Sequence, residues 1–212
     1  TVTQMLWVNL IMDTFAAMAL SSLPADRTVL YDKPRRPDSH IIDKQMIYKI
    51  VGFGLPFFVL LSGLWQLLWH TEIDSVKQLI SLDSIKLFFT GILDLESNKG
   101  QLSGYDHGVF FSIFVMLQFW NLFNAKYFRT DRSLIQDIID AFRKPEKVRQ
   151  SYSQGFIWIV LVILLGQILI VSFAGSMFNV APLDAYDWGW ILLITSPVLI
   201  ITDIVRFVKH LI

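Results

Sequence analysis

The chain has no cysteine. That excludes disulfides and thiolate metal sites and leaves the redox compartment unread. It has no excess charge either: 18 Lys and Arg balance 18 Asp and Glu. A chain without a basic field offers nothing to a nucleic acid, and no nucleic-acid partner is expected. Its four histidines, His40, His70, His107 and His210, are scattered and make no ligand cluster. No secretory leader stands at the start, where the chain opens inside an apolar run and reads as a piece of something longer. Internal repeats and low-complexity stretches are also missing.

What the chain has in quantity is apolar and aromatic surface. Of its 212 residues 54% are hydrophobic, with 17 Phe and 7 Trp, and mean hydropathy is +0.51. Five apolar segments approach the ~20 residues that a helix needs to cross a bilayer. They run over about Val2–Leu23, Ile47–Trp69, Gly108–Phe128, Phe156–Met177 and Trp188–Val208. Five such runs in a chain this short are hard to solvate, so the expected fold is an all-α membrane bundle of five transmembrane helices, with lipid as its surroundings. Trp7, Trp69, Tyr127, Trp158, Trp188 and Trp190 lie near span ends, where aromatic rings commonly anchor at the interface.

The loops orient the bundle. Arg27, Lys33, Arg35, Arg36 and Lys44 lie between spans one and two. Arg129, Arg132, Arg143, Lys144, Lys147 and Arg149 lie between three and four, and Arg206 and Lys209 close the chain. The positive-inside rule puts these loops and the C-terminus in the cytoplasm. The long loop from His70 to Asp106 then faces outward; its middle, Ser84–Phe89, reads as a short interfacial helix. Leu134–Phe142 has helical apolar spacing and a basic tail, as expected of a helix lying on the inner membrane surface. Pro24, Pro34 and Pro37 stiffen the first loop.

Inside the spans, polar groups are few. Asn9 and Asp13 stand four residues apart in the first apolar run, one above the other on a helix face. A carboxylate in hydrocarbon costs several kcal/mol unless it meets a partner, a cavity or an ion. Gln118, Asn121 and Asn124 follow at i, i+3 and i+6 on roughly one face of the third span. They suit either cation ligation or helix-to-helix hydrogen bonding. Hard cations take oxygen ligands, and calcium takes six to eight. Asn9, Asp13 and Gln118 make an incomplete shell, to be finished by water or by helices outside this chain. Asp203 sits at a span end, within reach of Arg206 and Lys209. Pro197 is expected to kink the fifth helix, and Gly52, Gly54 and Gly63 to permit close packing of the second.

The run Leu6-Trp7-Val8-Asn9-Leu10-Ile11-Met12-Asp13-Thr14 closely resembles the sixth transmembrane helix of calcium-transporting P-type ATPases, the plasma-membrane type in particular. The resemblance continues in order. Pro24-Ala25-Asp26 and Asp32-Lys33-Pro34-Arg35-Arg36 are similar to the loop that follows. Val115–Ala125, around Gln118-Phe119-Trp120-Asn121, is similar to the eighth helix. Gly166–Val171 and Pro182-Leu183-Asp184 are similar to the ninth helix and its loop, and Ser196-Pro197-Val198 with Asp203 to the tenth.

The resemblance implies helices six to ten of a ten-helix membrane domain in the plasma membrane or a bacterial inner membrane. It implies Asn9 and Asp13 as calcium ligands. Met12 and Gln118 stand where two-ion relatives place Thr and Glu, which implies one calcium per cycle. No Asp-Lys-Thr-Gly-Thr or Thr-Gly-Glu-Ser motif occurs here. ATP and Mg2+ would therefore act in cytoplasmic domains of a longer parent, which with helices one to five would be this segment's partners. The segment alone would be catalytically inactive. A manganese-pumping relative shares the first motif. A free-standing secondary cation exchanger and a non-transporting scaffold are the alternatives from other classes.

Overall fold

A computed structural model describes residues 1–24, 31, 42, 44–91, 102–127, 134–143 and 152–200. Every regular element among them is helical. The first helix, α1, runs over Val2–Ser21 and α2 over Lys44–His70. A 3-10 turn at Val76–Ile80 leads to α3, Leu82–Gly91. Then come α4 at Gly104–Lys126, α5 at Leu134–Arg143, α6 at Gln154–Phe173, the one-turn α7 at Gly175–Phe178 and α8 at Ala185–Thr195.

Helices α1, α2, α4 and α6 are long and apolar enough to cross a membrane. A fifth apolar helix is described over Ala185–Ile200; the rest of its expected span lies outside the described residues, as do Asp203, Arg206 and Lys209. The proline loop from Ala25 to Pro37 also lies outside them, apart from Tyr31.

Capping residues set where the spans begin. Ser103 accepts from the Asp106 amide while the Asp106 carboxylate accepts from the Ser103 amide, so α4 starts four residues ahead of its apolar run. Ser153 caps α6 by accepting from the Phe156 amide, and Asp184 caps α8 by accepting from the Asp187 amide. Each side-chain oxygen satisfies one of the amides that a helix start leaves without a carbonyl. Helix α8 breaks at Ser196, one residue before Pro197, which has no N–H for the ladder, and helical structure resumes to Ile200.

Helix α4 is the hub. Of its apolar window 61% is buried, against 18–22% in the other three spans. It packs against α1, α2, α6 and α8. Val109, Val115, Met116, Leu117 and Phe119 from α4 meet Leu64 and Leu68 of α2, Ile163 and Val171 of α6 and Ile191 of α8 in one core. Two polar clusters close the hub at its ends. At one, Asp187 accepts from Tyr105, Ser75 and the Val76 amide. At the other, Asp137 of α5 accepts from Lys126 and Tyr127.

The two amphipathic helices expected from the loops are present as α3 and α5. Trp7 and Trp188 are not free interfacial rings. Trp188 is buried in the core, and the Trp7 indole bonds a side chain on α6. Gly63 is pressed against the ring of Phe88 on α3, as close packing requires. Gly52 and Gly54 face open space among the described residues.

Candidate ion site

Helix α1 is not uniform. Its ends, Val2–Leu6 and Asp13–Ser21, are α-helical, whereas Trp7–Met12 is a π-turn. The turn closes with the Asp13 amide donating to the Val8 carbonyl, five residues back. One extra residue is thereby inserted just ahead of the only acid in the helix. Insertions of this kind are uncommon and cluster at functional sites.

The turn divides α1 into two faces. Val8, Met12 and Ala19 are buried in the core of the bundle, and the Asp13–Ser21 part packs on α6. Asn9 and Asp13 share the opposite, exposed stripe with Val2, Leu6 and Ala17. Neither side chain makes a hydrogen bond or ion pair among the described residues, and no described arginine or lysine neutralises Asp13. Asp13 is the twelfth residue of this 20-residue helix, counted from Val2, close to mid-depth of the span. Beside it, Thr14 bonds back to the Leu10 carbonyl and so turns its hydroxyl onto its own helix.

Gln118 lies on the less buried stripe of α4, with Phe114, Asn121 and exposed Ala125. Its amide makes no hydrogen bond among the described residues, and none joins it to Asn9 or Asp13. Asn124 departs from the expected common face. It is buried and donates through Nδ2 to the Val198 carbonyl at 3.4 Å, tying α4 to the last helix. The physical reason is the helical angle: two steps of i+3 already spread the triplet over about a third of a turn. Trp120 makes a similar tie, donating to Thr195 Oγ1 at 2.9 Å.

No group of three His, Asp or Glu side chains placed to hold a metal occurs among the described residues. A cavity of about 300 Å3 lies between α2, α3, α4 and α8, lined by Leu60, Leu64, Leu67, Ile113 and Leu117. It is apolar and takes in none of Asn9, Asp13 and Gln118. The polar stripes of α1 and α4 are thus edges rather than a closed site. They offer oxygen donors at membrane depth and leave the shell open.

A family model described as the C-terminus of cation transporting ATPases matches residues 1–208. The chain belongs to this family. Among curated relatives it is 31% identical over 191 residues to plasma membrane calcium-transporting ATPase 2 of Oreochromis mossambicus, covering 88% of this chain and 14% of the relative. It is 33% identical over 206 residues to calcium-transporting ATPase 2 of Cryptococcus neoformans, covering 97% and 12%. It is 31% identical over 197 residues to plasma membrane calcium-transporting ATPase 3 of Homo sapiens, covering 90% and 13%. The chain therefore spans about an eighth of the length of these relatives. Family membership and the apolar helices together make it an integral membrane protein.

Sequence reasoning missed one polar pair beside the candidate site. Trp7 Nε1 donates to Gln167 Oε1 at 3.2 Å. The partners are 160 residues apart, and no periodicity links them.

Proposed function

We propose that this chain is the C-terminal transmembrane domain, residues 1–212, of an ATP-driven pump that exports calcium from the cytoplasm. Asn9 and Asp13 supply part of one ion site, and Gln118 adds a further oxygen. The observation that carries the reading is the mid-span carboxylate on an exposed stripe with an amide one turn away and no partner among the described residues. In hydrocarbon a charged group persists only beside a cation or a polar partner. A transported divalent cation is such a partner during part of each cycle.

Two carboxylate oxygens and one amide oxygen from α1 make about three donors, fewer than the six to eight calcium takes. Water, Gln118 and helices of the parent outside this chain complete the shell. Calcium is the cargo; ATP and Mg2+ act in cytoplasmic domains outside this chain. The relatives' names support calcium over manganese as the ion. The basic loops and the C-terminus face the cytoplasm, and α4, α6 and α8 form the scaffold against which α1 is held.

The deciding experiment is Asp13→Asn in the full-length pump. Calcium-dependent phosphorylation by ATP is expected to disappear, and calcium uptake into vesicles with it. Unchanged uptake would remove Asp13 from the site.

A further inference from the structure

Helix α1 is fastened to α6 and its C-terminal turn at three levels. Gln4 Nε2 donates to the Phe178 carbonyl at 2.9 Å. The hydroxyls of Ser22 and Ser153 are 2.8 Å apart. Between these two ends, the Trp7 indole donates to Gln167. The outer clasps are at helix ends. The middle one lies at membrane depth and at the first residue of the π-turn.

Gln167 is fully buried in the most apolar span of the chain. An amide there has a desolvation cost that a leucine would not have. Among the described residues its Oε1 meets the Trp7 indole alone, and its Nε2 meets no partner. Gly166 next to it has no side chain, and a Cβ there would touch the Trp7 ring at 3.5 Å. The tryptophan therefore lies along consecutive residues of α6, its ring beside Gly166 and its N–H on Gln167.

A π-turn is less favourable than the α-helix it interrupts and persists where its surroundings hold it. Its bond from Asp13 N–H to Val8 O fixes the rotation of everything after it. Moving the extra residue back into α-geometry would swing Asn9 and Asp13 around the helix axis. The Trp7 seat fixes where the turn begins, and buried Val8 and Met12 hold its far side.

We infer that Gln167 is a positioning residue for cation binding, acting through Trp7 to hold the π-turn that aims Asn9 and Asp13. The inference rests on the ion-site reading above. It assigns the polar cost of Gln167 to the pump's affinity and not to its folding alone.

In the full-length pump, Trp7→Phe and Gln167→Leu are each expected to raise the calcium concentration for half-maximal phosphorylation about fivefold, as loss of one hydrogen bond implies. The phosphoenzyme level at saturating calcium stays unchanged. The double variant is no worse than either single one, because both remove the same bond. Ser22→Ala removes a clasp outside the turn and leaves the calcium requirement unchanged. Trp7→Phe keeps an aromatic side chain without the N–H and carries the test if Gln167→Leu does not reach the membrane. Additive shifts, an equal shift with Ser22→Ala, or no shift while Asp13→Asn still abolishes phosphorylation would each overturn the positioning role. If Asp13→Asn leaves calcium-dependent phosphorylation intact, the ion site itself is misplaced and this inference goes with it.

Discussion

Lys126 Nζ lies 3.1 Å from Asp137 Oδ2, and the two side chains are only 5% and 2% exposed. The pair joins the last residue of the central span to helix α5. Tyr127 also donates to Asp137 Oδ2, at 2.7 Å, and its hydroxyl lies 2.7 Å from that of Tyr152, just ahead of α6. The ammonium sits over the Tyr152 ring, 3.1 Å from its centroid. One carboxylate thus binds α5 to the end of α4, and the Tyr127 hydroxyl extends the cluster to Tyr152 ahead of α6. Removing one partner of a buried ion pair leaves the other charge uncompensated, at a cost of about 3–5 kcal/mol. Asp137→Ala is expected to lower stability by an amount of that order, and Tyr127→Phe by about 1 kcal/mol. Unfolding of the detergent-solubilised protein measures both, and equal small effects would show the cluster to be solvated.

The same cluster fixes the depth of α5. Its carboxylate is tied to the end of α4 and, through the Tyr127 hydroxyl, to Tyr152 ahead of α6, so the helix lies at the level where these two spans end. There Ile138, Ile139 and Phe142 are exposed on α5, Phe142 to 88%. At that level an exposed apolar stripe enters the lipid interface. Because the chain has no cysteine, a single introduced thiol reports its own surroundings. In bilayers, Phe142→Cys is expected to react with a lipid-soluble maleimide and to resist a membrane-impermeant one. Asp140→Cys, on the polar side, is expected to react in the opposite order. Rapid impermeant labelling at both positions would lift α5 off the membrane.

At the other end, Asp187 is 4% exposed and accepts three hydrogen bonds: Tyr105 at 2.6 Å, the Val76 amide at 3.0 Å and Ser75 at 3.2 Å. These draw the loop after α2, the start of α4 and the start of α8 onto one carboxylate. Tyr105→Phe removes one bond and is expected to cost about 1 kcal/mol. Asp187→Leu leaves three donors without their acceptor and is expected to cost several times more. Limited proteolysis between residues 71 and 81 should accelerate in Asp187→Leu and barely change in Tyr105→Phe.

Much of this architecture is legible in the sequence because hydrocarbon imposes it. Long apolar runs mark α1, α2, α4 and α6, and the amphipathic spacing of Leu134–Phe142 marks α5. Asn9 and Asp13 stand out because a polar pair in such a run is costly. Features that depend on contacts between distant residues leave no such mark. Trp7 read alone resembles an interfacial anchor, but its indole is claimed by Gln167. Asn124 counts with Gln118 by spacing and is claimed by Val198 instead. The π-turn is invisible because one inserted residue does not disturb an apolar pattern that is hydrophobic on nearly every side.

Glycines on α2 and α4 differ in what a side chain there would meet. A Cβ on Gly108 would lie 2.9 Å from the Ala181 carbonyl oxygen, and backbone cannot yield cheaply. Gly108→Ala is therefore expected to destabilise both this chain and the full-length pump by about 1–3 kcal/mol. A Cβ on Gly52 or Gly54 would meet nothing within 4 Å among the described residues. In this chain Gly52→Ala gains helix propensity, worth about 1 kcal/mol. Small residues on an apolar span that face nothing are suited to close approach by another membrane helix. If a helix outside this chain packs there, the same substitution is expected to lower stability or calcium uptake in the full-length pump. Opposite signs in the two proteins would locate that contact on the Gly52–Gly54 face. The same sign in both would leave that face to lipid.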